Sequence, residues 1–177
     1  MKKIGKLLLV LAITALAVTS CTTENQADSR LDAILESGKM ICATSADFPP
    51  MEFINDDGTF DGFDIDFINE LGNRMGVTVE MWDMPFDSLI QSLAEGKIDC
   101  VIAGQSITAE RLETVDFTTP YYYASIIAVT KKDSPFAGAA SVAELSGATV
   151  TSQLNTVWYD VCAPQIPDVN LLPAMES

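Results

Sequence analysis

The sequence predicts an α/β fold, and three observations carry that expectation. Short apolar runs alternate with helix-like stretches from residue 28 onward. Glycines close those stretches at Gly38, Gly76 and Gly96. The run 98–103 (IDCVIA) is nearly continuous apolar sequence, as a strand covered on both faces requires. Strands alternating with helices of this length give a parallel sheet with right-handed crossovers.

Taken in order, Leu31, Ile34 and Leu35 share one helical face, which predicts a helix over 28–37 that Gly38 ends. Residues 39–44 (KMICAT) read as the first strand, 51–54 as an extended piece and 55–58 (NDDG) as a turn. Phe63, Phe67, Leu71 and Met75 recur every fourth residue, predicting a helix over 63–75. Asp61, Asp64 and Asp66 surround its start, where carboxylates suit free N–H groups and the helix dipole. Residues 77–81 alternate as a strand, and Leu89, Ile90 and Leu93 mark another helix before Gly96. After the strand 98–103 comes a long extended run over 121–132. Then follow a loop at 133–140, a short helix start at 141–145, a strand at 148–152, a helix at 155–162 and a strand at 169–172.

The two ends of the chain differ in character. Lys2, Lys3 and Lys6 precede a short apolar core at 7–18, and small residues then lead into Cys21. That apolar core is too short to span a bilayer comfortably, so 1–20 is a secretion signal. Val18-Thr19-Ser20-Cys21 resembles a bacterial lipobox, which implies cleavage before Cys21 and lipid attachment there. Two or more acyl chains anchor a protein stably, whereas one does not. The polar stretch 21–30 reads as a tether. What remains suffices for one good core but is short for two complete lobes.

The chain carries 25 acidic and 10 basic residues, a net charge of −15. That excludes a nucleic-acid partner, which needs a basic surface, and disfavours electrostatic binding to anionic lipid. Histidine is absent, and the cysteines fit no zinc spacing, so neither a metal nor a cofactor is expected. Cys42, Cys100 and Cys162 cannot all pair and read as small apolar core residues rather than as a disulfide. No paired carboxylates or nucleophile–base set stand out, so the chain is not expected to be an enzyme.

In a parallel sheet, ligands bind at loops beyond the carboxyl ends of the strands. Here those loops are 45–50, 82–87 and 103–111, which converge on one rim. Arg111 is the leading residue: its planar fork of donors fits a carboxylate in two charge-assisted hydrogen bonds. The bland alternative is a surface ion pair with Glu110, Glu113 or Asp116. Ser106 and Gly104 stand near Arg111 in sequence. Phe48 and Phe86 sit in loops beside proline, outside any helical or strand periodicity.

Four stretches, TSADFPPMEF (44–53), GFDID (62–66), PFDSLI (85–90) and 98–123 around Arg111, occur in the order and spacing of one family. They resemble family 3 extracytoplasmic solute-binding proteins, the polar-amino-acid receptors of ABC importers, from about residue 39 to about 156. The resemblance implies a periplasmic-binding-protein-like type II fold with two lobes. Lobe one would span 31–122, a hinge strand 123–132, and a partial lobe two 133–177. The resemblance stops within the second lobe, so a truncated chain with exposed apolar surface is expected.

It also implies that Arg111 and Ser106 hold a ligand's α-carboxylate while Phe48 and Phe86 flank its side chain. Gly104 or Ala103 would offer a carbonyl to the α-ammonium, and Asp47 could accept from an amino group. In lobe two, QLNT (153–156) looks like a second contact loop, with Gln153 and Thr156 on the ligand and Asn155 where relatives usually carry glycine. Relatives hold the ammonium with a later acidic residue, and no matching segment precedes Ser177. The partners implied are a small amino acid, a permease and the membrane through the lipid on Cys21, with the protein a monomer outside the cytoplasm. A dehydratase or transglycosylase-associated enzyme, or the sensing module of a receptor, shares the scaffold.

Overall fold

The computed structural model describes residues 29–174. The leader 1–20, Cys21, most of the tether and residues 175–177 lie outside the described residues.

Helix α1 (Arg30–Ser37) begins at Ser29, whose hydroxyl accepts from the Asp32 amide, and ends at Gly38 in the left-handed conformation. Strand β1 (Lys39–Thr44) follows at once. After β1 come β2 (Asp47–Phe48), β3 (Glu52–Ile54) and β4 (Phe60–Asp61), a small antiparallel sheet in that order. Helix α2 (Phe63–Met75) leads to β5 (Thr78–Asp83), and α3 (Leu89–Ala94) to β6 (Cys100–Val101). The main sheet has the order β5-β1-β6, and both pairings are parallel, with Met40 opposite Val79 and Cys42 opposite Cys100. Side chains alternate across it. Met40 and Cys42 join Ile34 and Ile68 beneath α1 and α2, while Ala43 joins Leu89, Ile98 and Ala103 on the α3 side. Both faces of β1 are thus covered, as the apolar runs required.

The one-turn helix α4 (Ala109–Leu112) carries Arg111. Further on, β7 (Thr149–Gln153) and β8 (Asn170–Ala174) form a parallel pair. Between them lie a widened π-type turn at Trp158–Cys162 and a 3-10 turn at Ala163–Gln165.

The helix expected over 63–75 forms, and two other expectations need correction. The α2 residues Phe63, Phe67 and Leu71 are 45%, 42% and 38% exposed, and the fully buried face is Asp64, Ile65, Ile68 and Gly72. Gly72 sets that face: a Cβ there would stand 2.5 Å from Val79 Cγ2, so only glycine allows this approach of helix to strand. The aromatic stripe instead meets the chain leaving β6, with Tyr121 stacked on Phe63 and on Phe67. First, the run 121–132 joins no ladder among the described residues; Tyr123 and Val129 are 83% and 87% exposed. Second, the helix expected over 155–162 is shorter and of π type, at Trp158–Cys162. Pro164 has no N–H to give to the carbonyl four residues back, and the turns around it take π and 3-10 geometry.

Candidate ligand-binding site

Three loops at the carboxyl end of the main sheet, and the turn after β7, enclose one cavity of about 30 Å3. Asp47, Phe48, Phe86, Ala103, Gly104, Ser106, Arg111, Gln153 and Thr156 all line it, joined by Ser45, Glu52, Val157 and Trp158. The structure therefore gathers every residue singled out for ligand contact around a single space.

Arg111 is placed by a capped turn. The Thr108 hydroxyl accepts from the Arg111 amide at 3.2 Å, which fixes α4 just beyond Gly104 and Ser106. The guanidinium donates through Nη1 to the Ser106 carbonyl at 2.7 Å and through Nη2 to the Asn155 carbonyl. Its carbon lies 5.7 Å from the centre of the Phe86 ring. With its amide oxygen turned inward, Gln105 accepts from the same group at 3.2–3.3 Å. Among the described residues no carboxylate forms an ion pair with it. Burial holds its pKa below the usual guanidinium value, with Asp160 and Glu110 opposing at longer range. The surface ion pair with Glu110, Glu113 or Asp116 is not formed; among the described residues every acceptor is neutral, and none compensates the positive charge at contact distance.

The Asn155 carbonyl reaches Arg111 because Asn155 adopts φ 60°, in the left-handed region that asparagine tolerates better than most residues. A second contact across the cleft sets the Phe48 ring 5.5 Å from that of Trp158. Thr156 is buried, but its hydroxyl donates to the Gln153 carbonyl at 2.7 Å and accepts from the Tyr159 amide at 3.2 Å. Its hydroxyl thus shapes the turn that forms this wall of the cavity. Asp47 accepts from the Ser45 hydroxyl at 3.2 Å.

Beneath the cavity lies a group that the sequence did not expose. Asp64, read as a helix-start charge, is fully buried: its Oδ2 accepts from the Gly104 amide and from the Tyr121 hydroxyl, both at 2.8 Å. Glu52 is 1% exposed, lines the cavity and lies within hydrogen-bonding reach of Asp64. Burial first, then the charges of Asp64 and Asp47, push its pKa up to about 9. Burial also raises Asp64, against the hydrogen bonds from Gly104 and Tyr121 that favour its charged form. Glu52 Oε2 and Asp64 Oδ1 have no other hydrogen-bond partner. A proton kept on Glu52 and donated to Asp64 satisfies both oxygens, which two carboxylates could not do. The chain thus does contain paired carboxyls. An acid inside the apolar stretch MEFI, next to a site loop, was the available signal.

Residues 40–166 match the family described as bacterial extracellular solute-binding proteins, family 3. The chain belongs to this family. Its relatives include the arginine-binding extracellular protein ArtP of Bacillus subtilis, 39% identical over 153 residues, which cover 85% of this chain and 56% of that protein. The cyclohexadienyl dehydratase of Pseudomonas aeruginosa is 32% identical over 113 residues, covering 64% of this chain and 42% of the enzyme. Among solved structures, the arginine-bound form of truncated ArgBP from T. maritima superposes with a TM-score of 0.75 at 37% identity. That superposition covers 82% of this chain and 68% of the other. The fold of this family 3 chain is accordingly of the periplasmic-binding-protein-like type II class. The chain spans about half the length of the curated relatives it matches.

Proposed function

We propose that this chain is the extracytoplasmic receptor of an ABC importer and captures an amino acid in the cleft around Arg111. One observation carries the reading: a half-buried guanidinium faces a cavity between the two proposed lobes, and among the described residues neutral acceptors and an aromatic ring meet it, with no carboxylate paired to it. A ligand carboxylate can take two charge-assisted bonds from it, each contributing about 1.5–3 kcal/mol. Phe48, Phe86 and Trp158 supply apolar and ring-face contact for the rest of the ligand. Asp47 on the cavity wall, and the arginine in the names of ArtP and ArgBP, make arginine the first ligand to test.

In this reading lobe one is 31–122, the hinge 123–132 and lobe two 133–177, with Gln153, Asn155 and Thr156 shaping the second wall. Cys21 carries the lipid, the receptor is a monomer held at the outer face of the cell membrane, and it delivers its ligand to a permease. Capture needs no covalent chemistry. Titration calorimetry with arginine and other amino acids tests it: Arg111→Ala weakens binding at least about 100-fold, the loss of about 3 kcal/mol. Wild-type affinity in that variant refutes the site. A dehydratase reading draws on one observation, the protonated Glu52 on the cavity wall beside a relative that is an enzyme. Product formed from a cyclohexadienyl substrate would favour it, and binding of amino acids without turnover would exclude it.

A further inference from the structure

Cys42 and Cys100 stand opposite one another in β1 and β6, the strands that deliver the Ser45–Phe48 and Ala103–Gly104 parts of the cavity. Both side chains enter the same apolar cluster under α2, so they leave the sheet on the same face. The two thiols are close enough to perturb each other's titration, and the Cys100 thiol donates to the Val101 carbonyl at 3.6 Å. Adjacent strands lie about 4.8 Å apart, inside the roughly 4.4–6.8 Å range of Cα separations that a disulfide spans. Cys42 is fully buried, whereas Cys100 is half-buried and gives an attacking reagent a way in. Cys162 lies far along the chain, in the turn after β7.

We propose that Cys42 and Cys100 form an oxidisable dithiol that closes to an intrachain disulfide across β1 and β6, with a small-molecule disulfide as oxidant. The neighbouring Cys42 thiol lowers the Cys100 pKa, which favours its thiolate as the first nucleophile. That thiolate attacks one sulfur of the oxidant and expels the other as a thiolate, leaving a mixed disulfide on Cys100. The Cys42 sulfur then attacks the Cys100 sulfur, its proton leaves, and the second small thiol departs. Two protein thiols are oxidised, one small disulfide is reduced to two thiols, and both protons end on the released thiols. An extracellular family works in the kind of compartment where such bonds persist. The bond would pin together the two strands whose ends frame the cavity.

The test oxidises the reduced, purified full-length protein with excess oxidised glutathione, blocks remaining thiols by alkylation and maps the tryptic peptides. Trypsin isolates Cys42 in peptide 40–74 and Cys100 in peptide 98–111. The expected product is a linked 40–74/98–111 species that dithiothreitol splits, with Cys162 alkylated. Cys162→Ser retains the link, and Cys42→Ser replaces it with a glutathione adduct on Cys100. Alkylated Cys42 and Cys100 in the oxidised wild type overturn the proposal. So does a stable glutathione adduct on wild-type Cys100, or a link to Cys162. The wild-type map decides the matter even if a variant fails to fold.

Discussion

Replacing Glu52 with glutamine tests the buried carboxyl pair through the pH dependence of stability. Folding lifts the Glu52 pKa from 4.5 to about 9. Between those values the folded chain keeps a proton that the unfolded chain releases. Stability from this group is therefore complete below about pH 4.5 and is lost as pH rises toward about 9. A full one-proton difference changes stability by about 1.4 kcal/mol per pH unit, so the step from pH 6 to pH 8 removes at most about 2.7 kcal/mol. That is a large share of the roughly 5–15 kcal/mol that holds a typical domain. Glutamine keeps the shape and still offers a donor to Asp64, but cannot ionise. Urea unfolding followed by fluorescence should show wild-type stability falling across this interval and Glu52→Gln nearly flat. Parallel curves for the two proteins, or wild-type stability that rises over the interval, would refute the assignment of the proton to Glu52.

Two further substitutions probe the backbone that frames the cavity. Gly62 has φ 121°, and a Cβ there would lie 2.4 Å from the Met51 carbonyl oxygen. Gly62→Ala should cost about 3 kcal/mol in urea unfolding by pushing α2 away from β3. Asn155→Gly should keep ligand affinity within about threefold, whereas Asn155→Val should lower it about tenfold in calorimetry, because a β-branched residue at φ 60° costs about 1–2 kcal/mol.

What could be foreseen from sequence followed from local rules. Gly38 and Gly76 close their helices in the left-handed conformation, and β1 covers the residues that the KMICAT run marked. The loops at the carboxyl ends of β1, β5 and β6 meet because parallel strands all point the same way, so Phe48, Phe86 and Gly104 reached one cavity without knowledge of the packing. The Glu52–Asp64–Tyr121 cluster was illegible for the opposite reason. Its members come from β3, α2 and the segment leaving β6, and only tertiary packing buries them side by side. Local chemistry gave Asp64 a sufficient reason to sit at a helix start, which concealed the hydrogen bond to Gly104. Periodicity identified α2 correctly, but the close approach at Gly72, rather than the larger rings, decides which face meets the sheet.

The contacts that close the cleft are made by the groups proposed to hold the ligand, and this constrains how capture works. Arg111 meets the turn after β7 through the Asn155 carbonyl, and Phe48 meets it through Trp158. A cavity of about 30 Å3 accepts a water molecule or two, so an amino acid enters only if both contacts part. Binding is then an exchange: a neutral carbonyl gives way to a carboxylate on Arg111, and ring-to-ring contact gives way to rings around a ligand. The net affinity is the difference between the two sets of contacts. At Arg111 the Asn155 carbonyl already takes a charge-assisted bond, and a carboxylate adds an opposite charge and a second, parallel bond. Under the proposed function, a zwitterion gains there what a neutral analogue of the same shape does not, and the carboxylate is selected before any side chain is read.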